Sequence, residues 1–295
     1  MRFFYRRLRA GALFKQLGPG LITGAADDDP SGIATYSQAG AQFGLGALWT
    51  MVFTYPLMTA VQLACAEIGR VTGHGLAKAM EDVLPRPLVT TLVALLFVAN
   101  TINIGADLAA MGEAGALILG GGTKWLTVAF ALVSLTLQLF VPYHRYVGYL
   151  KWLTLALLAY VAVVFSVKLD WAKAAIAVVM PPMALNGDAL TVVVAVFGTT
   201  ISPYLFFWQS SQEVEEVENH AGALPLKEAR RDSIQEFRRI KLDTFVGMAV
   251  SNLIALAIML AATVTLHDRG VTHVDTAAQA AQALAPVAGP FAFAV

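Results

Sequence analysis

Long apolar runs separated by short, turn-rich breaks dominate this chain, and runs of that length predict helices that cross a lipid bilayer. A helix needs about 20 apolar residues to traverse the hydrocarbon core. On that ruler, spans fall at residues 17–43, 47–70, 88–119, 125–141, 147–167, 188–212 and 237–266, with an eighth beginning near Ala278. Turn chemistry marks the breaks: Leu84-Pro85-Arg86-Pro87, Gly120-Gly121-Gly122, Met180-Pro181-Pro182 and Asn186-Gly187. The one long polar segment runs from Glu213 to Lys241. The pattern predicts an all-α polytopic membrane protein. Its last residues, Ala288 to Val295, are apolar and follow Ala278 too closely to complete a span. That ending predicts a chain truncated in its eighth helix.

Two of the runs are interrupted at their middle. The first reads Ala26-Asp27-Asp28-Asp29-Pro30-Ser31-Gly32 and the second Thr199-Thr200-Ile201-Ser202-Pro203-Tyr204. Pro30 and Pro203 are the expected helix breaks. Carboxylates inside a segment fit for lipid are costly and mark an ion or substrate path. Paired broken helices in two halves of a chain point to the central site of a transporter. As an N-cap with Pro30 at the first helical position, Asp29 has a structural use too. Capping requires one polar residue, however, and does not explain Asp27 and Asp28.

A broken helix leaves backbone carbonyls unpaired, which membrane proteins tolerate only where the backbone lines a cavity or is buried by protein. The carbonyls near Ala26 and Thr199 are therefore expected to face the same site as the Asp29 carboxylate. With the Ser202 hydroxyl added, the ligand inventory is all oxygen, which suits magnesium, calcium or manganese rather than softer ions. Magnesium dehydrates reluctantly and keeps several waters.

Composition agrees with a membrane setting. Hydrophobic residues make up 57% of the chain and charged residues 14%, against about 25% charged in soluble domains; mean hydropathy is +0.65. A net charge of zero gives no sign of nucleic-acid binding. Cys65 is the single cysteine, which excludes an internal disulfide and a multi-cysteine metal cluster. The basic N-terminus, Met1 to Arg7, lacks a cleavage site after a short apolar core and reads as a retained cytoplasmic tail. With the N-terminus inside, the cytoplasmic segments hold 16 of the 20 Lys and Arg residues; the exceptions are Lys124, Lys168, Lys173 and Arg269. The positive-inside rule supports that orientation for a multi-pass plasma-membrane protein. Residues 213–218 then lie just inside the membrane, either as a cation vestibule or as a solvated extension of the sixth span. All five histidines, at 74, 144, 220, 267 and 273, fall in loops or at span ends. Without a histidine near either break, tight proton coupling is not expected. Asp107 is left as a relay or pathway carboxylate, or as a partner of Asn100 or Asn103 at helical spacing.

The first span, with Gly18-Pro19-Gly20-Leu21, Asp29-Pro30-Ser31-Gly32 and Gln38-Ala39-Gly40-Ala41, resembles the first helix of the NRAMP divalent-metal transporters. Glu67-Ile68-Gly69-Arg70-Val71-Thr72-Gly73, Ala106-Asp107-Leu108-Ala109 and Thr200-Ile201-Ser202-Pro203 extend the resemblance in order along most of the chain. The resemblance implies a LeuT-type inverted-repeat fold with discontinuous helices 1 and 6. In that reading residues 1–16 are the cytoplasmic tail and 17–168 the first five-helix repeat. Residues 169–187 are an extracellular loop, and 188–295 an incomplete second repeat holding helices 6, 7 and the start of 8. Metal-ion members read Asp-Pro-Gly-Asn at the first break, so Asp29 matches the binding Asp while Gly32 stands for the ligand Asn. At the second break the family's Met-Pro-His is Ser202-Pro203-Tyr204 here. A second family histidine corresponds to Gln209, and an acidic pair in span three is reduced to Asp107, with Ala110 in the other place. This pattern resembles the NRAMP-related magnesium transporter branch.

These readings lead to transmembrane transport of a divalent cation, hydrated Mg2+ first and Mn2+ second, without tight proton coupling. The expected cation-site residues are Asp29, Ala26, Thr199, Ser202 and Gly32, with Asp27, Asp28, Asp107, Tyr204 and Gln209 along the pathway. The expected partners are the lipid bilayer and the cation itself; neither a resident cofactor nor a nucleic-acid partner is expected. A proton-coupled Mn2+ or Fe2+ transporter is the first alternative. An intramembrane metal-dependent enzyme would need a second acidic motif facing the first. A sodium-coupled carrier of organic solutes would favour an uncharged first break.

Overall fold

The computed structural model describes residues 19–141, 157–184, 186–219, 224–229, 233–274 and 277–283. Helices α1 (Pro19–Asp27) and α2 (Pro30–Phe43) follow one another with Asp28 and Asp29 between them. A 3-10 turn, Gly44–Ala47, leads into α3 (Trp49–Thr72), a short α4 (Leu76–Glu81) and the hairpin of α5 (Arg86–Leu119) and α6 (Thr123–Phe140). Next come α7 (Leu158–Ser166), α8 (Trp171–Val179), α9 (Gly187–Thr200), α10 (Pro203–Asn219), α11 (Ser233–Thr265) and α12 (Ala277–Gln282). No strand occurs among the described residues. Among the described residues, five stretches are long and apolar enough to cross a membrane: α3, α5, α6, Gly187–Glu218 and Ser233–Arg269.

Local chemistry explains the helix ends. Asp29, Asp170 and Asn186 each accept a backbone N–H three residues on, from Gly32, Lys173 and Ala189, and so cap α2, α8 and α9. Gly73 ends α3 in the left-handed region at φ 69°, which costs a glycine nothing. Most of α5 and α6 is exposed, with Phe97, Ile102, Trp125 and Phe140 on the outside, as suits helices facing lipid.

The long α11 is the spine of the core. It packs along both α1 and α2 and thereby splints the gap between them. Close approach depends on small residues. A Cβ on Gly24 would collide with the backbone of Gly247, one on Gly40 with that of Met259, and one on Gly20 would lie 2.8 Å from the Asp243–Thr244 peptide. Asp243 accepts the Gly20 N–H at 2.7 Å, pairing one of the orphan amides at the start of α1. Farther along, Asn252 of α11 donates to Met51 O and accepts from Thr54 of α3.

Two sequence expectations change in detail. The segment expected as a loop at 169–187 contains α8, which buries Ala174 and Ala177 because its alanine-rich sequence supplies an apolar face. The sixth apolar run continues as helix to Asn219, but Glu213 is neither solvated nor part of an open vestibule. Its carboxylate is buried and paired with Arg239, which also bonds Glu236, itself paired with Arg70 at 3.2 Å. Of the fifth expected span, residues 147–156 lie outside the described residues, as do the N-terminal tail, His144, His220 and the chain beyond Ala283.

Candidate cation site

The proline at the start of α2 cannot continue the hydrogen-bond ladder of α1, because it has no N–H to donate. The backbone at Asp29 is therefore extended (φ −74°, ψ 170°), and its side chain turns back over the first turn of α2. Ser31 Oγ–H and Gly32 N–H donate to Asp29 Oδ1 at 2.7 and 2.8 Å. The other oxygen, Oδ2, receives donors from two different helices. Tyr204 O–H of α10 reaches it at 2.9 Å and Asn103 Nδ2–H of α5 at 3.1 Å. Asp29 is half-buried and has four donors on its two oxygens. It thus serves as cap and as meeting point of α2, α5 and α10 together.

The neighbouring carboxylates are deeper. Asp27, 1% exposed, accepts the Ser251 hydroxyl of α11 on Oδ2 at 2.7 Å, while its Oδ1 is buried without a hydrogen-bond partner. Both oxygens of Asp28 are buried and unpaired, as is Oδ1 of Asp107. Buried polar oxygens of this kind are costly unless a donor or a cation meets them. Asp27, Asp28 and Asp29 lie close enough to act on one another electrostatically, and Asp107 lies close enough to act on Asp29.

At the second gap, α9 ends at Thr200 and α10 starts at Pro203. The Ser202 hydroxyl donates to Thr199 O and lies 3.2 Å from Gly198 O, so it caps the end of α9. Thr199 O thus keeps one lone pair for another partner, and the Ser202 oxygen keeps its own. Thr200 donates to Val196 O at 2.7 Å, and its Oγ1 sits 3.0 Å from the Tyr36 hydroxyl. Tyr36, fully buried on α2, therefore ties the first gap to the second.

The expected residues divide into three groups, with Thr199 and Ser202 at the second gap. Asp27, Asp28, Asp29, Gly32, Asp107 and Tyr204 come together around the first gap, with Ala26 in the last turn of α1. Gln209 sits apart from that cluster, fixed between Thr23 (3.2 Å) and Thr244 (3.0 Å) as a bridge from α1 to α11. Gly32 has little room for a side chain, because a Cβ there would lie 3.0 Å from Asp27 O. The sequence alone does not place Tyr36 or Ser251 here, and it offers Asn103 only as one possible partner of Asp107, whereas the structure joins it to Asp29. Ser251-Asn252, a polar pair inside an apolar run, was the available signal for one of them. Among the described residues, no three His, Cys, Asp or Glu side chains converge as a metal-holding group.

Comparison with known proteins places this architecture. Residues 20–295 match the family model described as natural resistance-associated macrophage protein-like. The divalent metal cation transporter MntH of Klebsiella pneumoniae is 27% identical over 281 residues, 92% of this chain and 63% of the relative. MntH of Yersinia enterocolitica is 28% identical over 285 residues, 92% of this chain and 64% of that protein. The chain thus spans somewhat under two thirds of the length of these curated relatives. Among solved structures, a mutant of the Eremococcus coleocola manganese transporter superposes with a TM-score of 0.74 at 15% identity, over 97% of this chain and 64% of that one. The same transporter bound to an aromatic bis-isothiourea compound gives 0.70 at 14% identity, over 97% and 64%. The helical fold is shared with those structures, and the chain belongs to the NRAMP family.

Proposed function

We propose that this chain forms a transmembrane path for a divalent metal cation, with hydrated Mg2+ as preferred substrate and Mn2+ also admitted. The observation that carries the reading is the Asp29 carboxylate between α1 and α2, met on one oxygen by Tyr204 from the start of α10. In this reading α1 with α2, and α9 with α10, are each one interrupted span. Residues 17–168 and 188–295 belong to two inverted repeats of LeuT type, and the N-terminus lies on the cytoplasmic side of the plasma membrane. The chain is read as a transporter and not as an enzyme, in keeping with the names its relatives carry.

The donor chemistry supports a hard ion. Asp29, the carbonyls of Ala26 and Thr199, and the Ser202 hydroxyl are all oxygen donors, and neither thioether nor thiolate is among them. An ion that keeps its waters makes fewer direct contacts and is recognised through hydrogen bonds from those waters. Tyr204, Asn103, Ser202 and the deeper aspartates provide such partners. Tyr204 and Gln209 stand where metal-ion members of the family carry histidines, and Ala110 stands for an acid, so transport is read as free of tight proton coupling.

A second reading is proton-coupled Mn2+ or Fe2+ transport, and its manganese part is favoured by the name of a similar solved structure, a manganese transporter. Proteoliposome uptake of Mg2+, Mn2+ and Cd2+ in parallel, with internal pH recorded, separates the two. Saturable Mg2+ entry without acidification is the expected result. Exclusion of Mg2+, or acidification in step with Mn2+ entry, moves the second reading to first place.

A further inference from the structure

We propose that Asn103 is a substrate-site residue whose amide, carried by α5, serves beside Asp29 where position 32 has no side chain. The inference rests on the cation reading above. Three observations bring it out. Gly32 contributes only a backbone N–H to Asp29, and the Asp27 carbonyl stands 3.0 Å from where a Cβ would be. Asn103 reaches the same carboxylate from another helix, its Nδ2 3.1 Å from Oδ2. Its own carbonyl oxygen accepts no hydrogen bond among the described residues.

The setting of Asn103 argues for a function beyond packing. Its neighbours Ile102 and Ile104 are 68% and 58% exposed on the lipid side of α5. An amide in such a helix is costly unless its polar atoms are used. Asp107, four residues on, lies on the same helical face. Asn103 and Asp107 thus form a short polar strip on α5 that faces the gap between α1 and α2.

The amide also suits a site that alternates between empty and occupied. Its terminal N–H2 and C=O are nearly isosteric, and rotation about the last side-chain bond exchanges them. Without a cation, the N–H2 donates to Asp29 and holds its charge. With a cation on Asp29, an N–H pointing at the same place would be repelled. A half-turn of the amide then presents Oδ1 to the ion or to one of its waters. A purely structural donor would not make that exchange.

The test compares Asn103→Leu, Asn103→Asp and Asp29→Ala in the full chain. Mg2+ uptake is measured in proteoliposomes, and binding by the Mg2+-dependent shift in thermal unfolding of purified protein. Asn103→Leu is expected to raise KM for Mg2+ about tenfold, the scale of losing a supporting group at a metal site, with kcat less changed. Asn103→Asp keeps an oxygen of the same reach and is expected to bind Mg2+ at least as tightly as the unsubstituted chain. Were Asn103 only a donor to Asp29, Asn103→Leu would leave the KM for Mg2+ unchanged or lower it, because the amide N–H competes with the cation for Oδ2. Loss of Mg2+ binding in a folded Asn103→Asp protein overturns the proposal, and that variant decides alone if Asn103→Leu does not fold. Unchanged KM in Asn103→Leu with no uptake in Asp29→Ala also overturns it, while leaving the cation reading standing. Normal uptake by Asp29→Ala brings down the cation reading, and the role of Asn103 with it.

Discussion

The hydroxyl of Tyr204, one residue beyond Pro203, lies 2.9 Å from Oδ2 of Asp29, one residue before Pro30. This contact joins the two helix gaps through a carboxylate, although 175 positions separate the residues in the chain. Tyr36, bonded to Thr200 at 3.0 Å, makes a second link between the same two regions. Pro30 begins α2 and Pro203 begins α10 beside these links.

Asp29→Ala is expected to abolish divalent-cation uptake while the protein still inserts and folds. The substitution removes the anionic oxygens and leaves the Tyr204 hydroxyl and Asn103 amide without their acceptor. Isotope or dye-based uptake in proteoliposomes measures this, and near-normal flux would refute the assignment. Asp27→Asn and Asp28→Asn are expected to weaken flux less, since neither side chain shares the contacts with α5 and α10.

Transport is expected to proceed without stoichiometric proton movement. Tyr204 is engaged with Asp29, and Gln209 is held by Thr23 and Thr244. Neither side chain carries the imidazole that exchanges protons near neutral pH. An imposed pH gradient should therefore fail to drive uphill Mg2+ uptake. Vesicle acidification that tracks metal entry would contradict this.

Selectivity should respond differently at the two gaps. Ser202→Met brings a soft thioether to the end of α9 and is expected to shift preference from Mg2+ toward Mn2+ and Cd2+. Gly32→Asn meets the Asp27 carbonyl, so it is expected to lower stability by about 1–3 kcal/mol, as overpacking does. Thermal unfolding and competition uptake on the two single variants and the double variant measure both effects. An active Ser202→Met protein with unchanged ion preference would show that selectivity is set elsewhere.

The buried pair of Glu213 and Arg239 is expected to be asymmetric in its effect on stability. Arg239→Ala leaves the Glu213 carboxylate buried with no cation on it and should cost about 3–5 kcal/mol. Replacing both by Gln, which removes both charges, should cost less than that. Chemical or thermal unfolding in detergent compares the two. Equal losses would mean that the pair contributes through shape rather than charge.

Hydrophobic run length and turn residues were sufficient to predict an all-helical membrane chain, because a lipid-crossing helix satisfies its own backbone and needs only apolar length. Asp29-Pro30 and Ser202-Pro203 were legible as helix boundaries for a similarly local reason: proline lacks the N–H that the ladder requires. The ordered motifs from Gly18 to Pro203 likewise pointed to the family. Tertiary structure decided the rest. Whether Glu213 faced water or Arg239 depended on how α10 lies against α11. Gln209 became a bridge because Thr23 and Thr244 arrive from helices remote in sequence. Asn103 reached Asp29 rather than Asp107 because α5 packs beside α2. Such side-chain partnerships are long-range and set by helix packing, so local sequence spacing does not encode them.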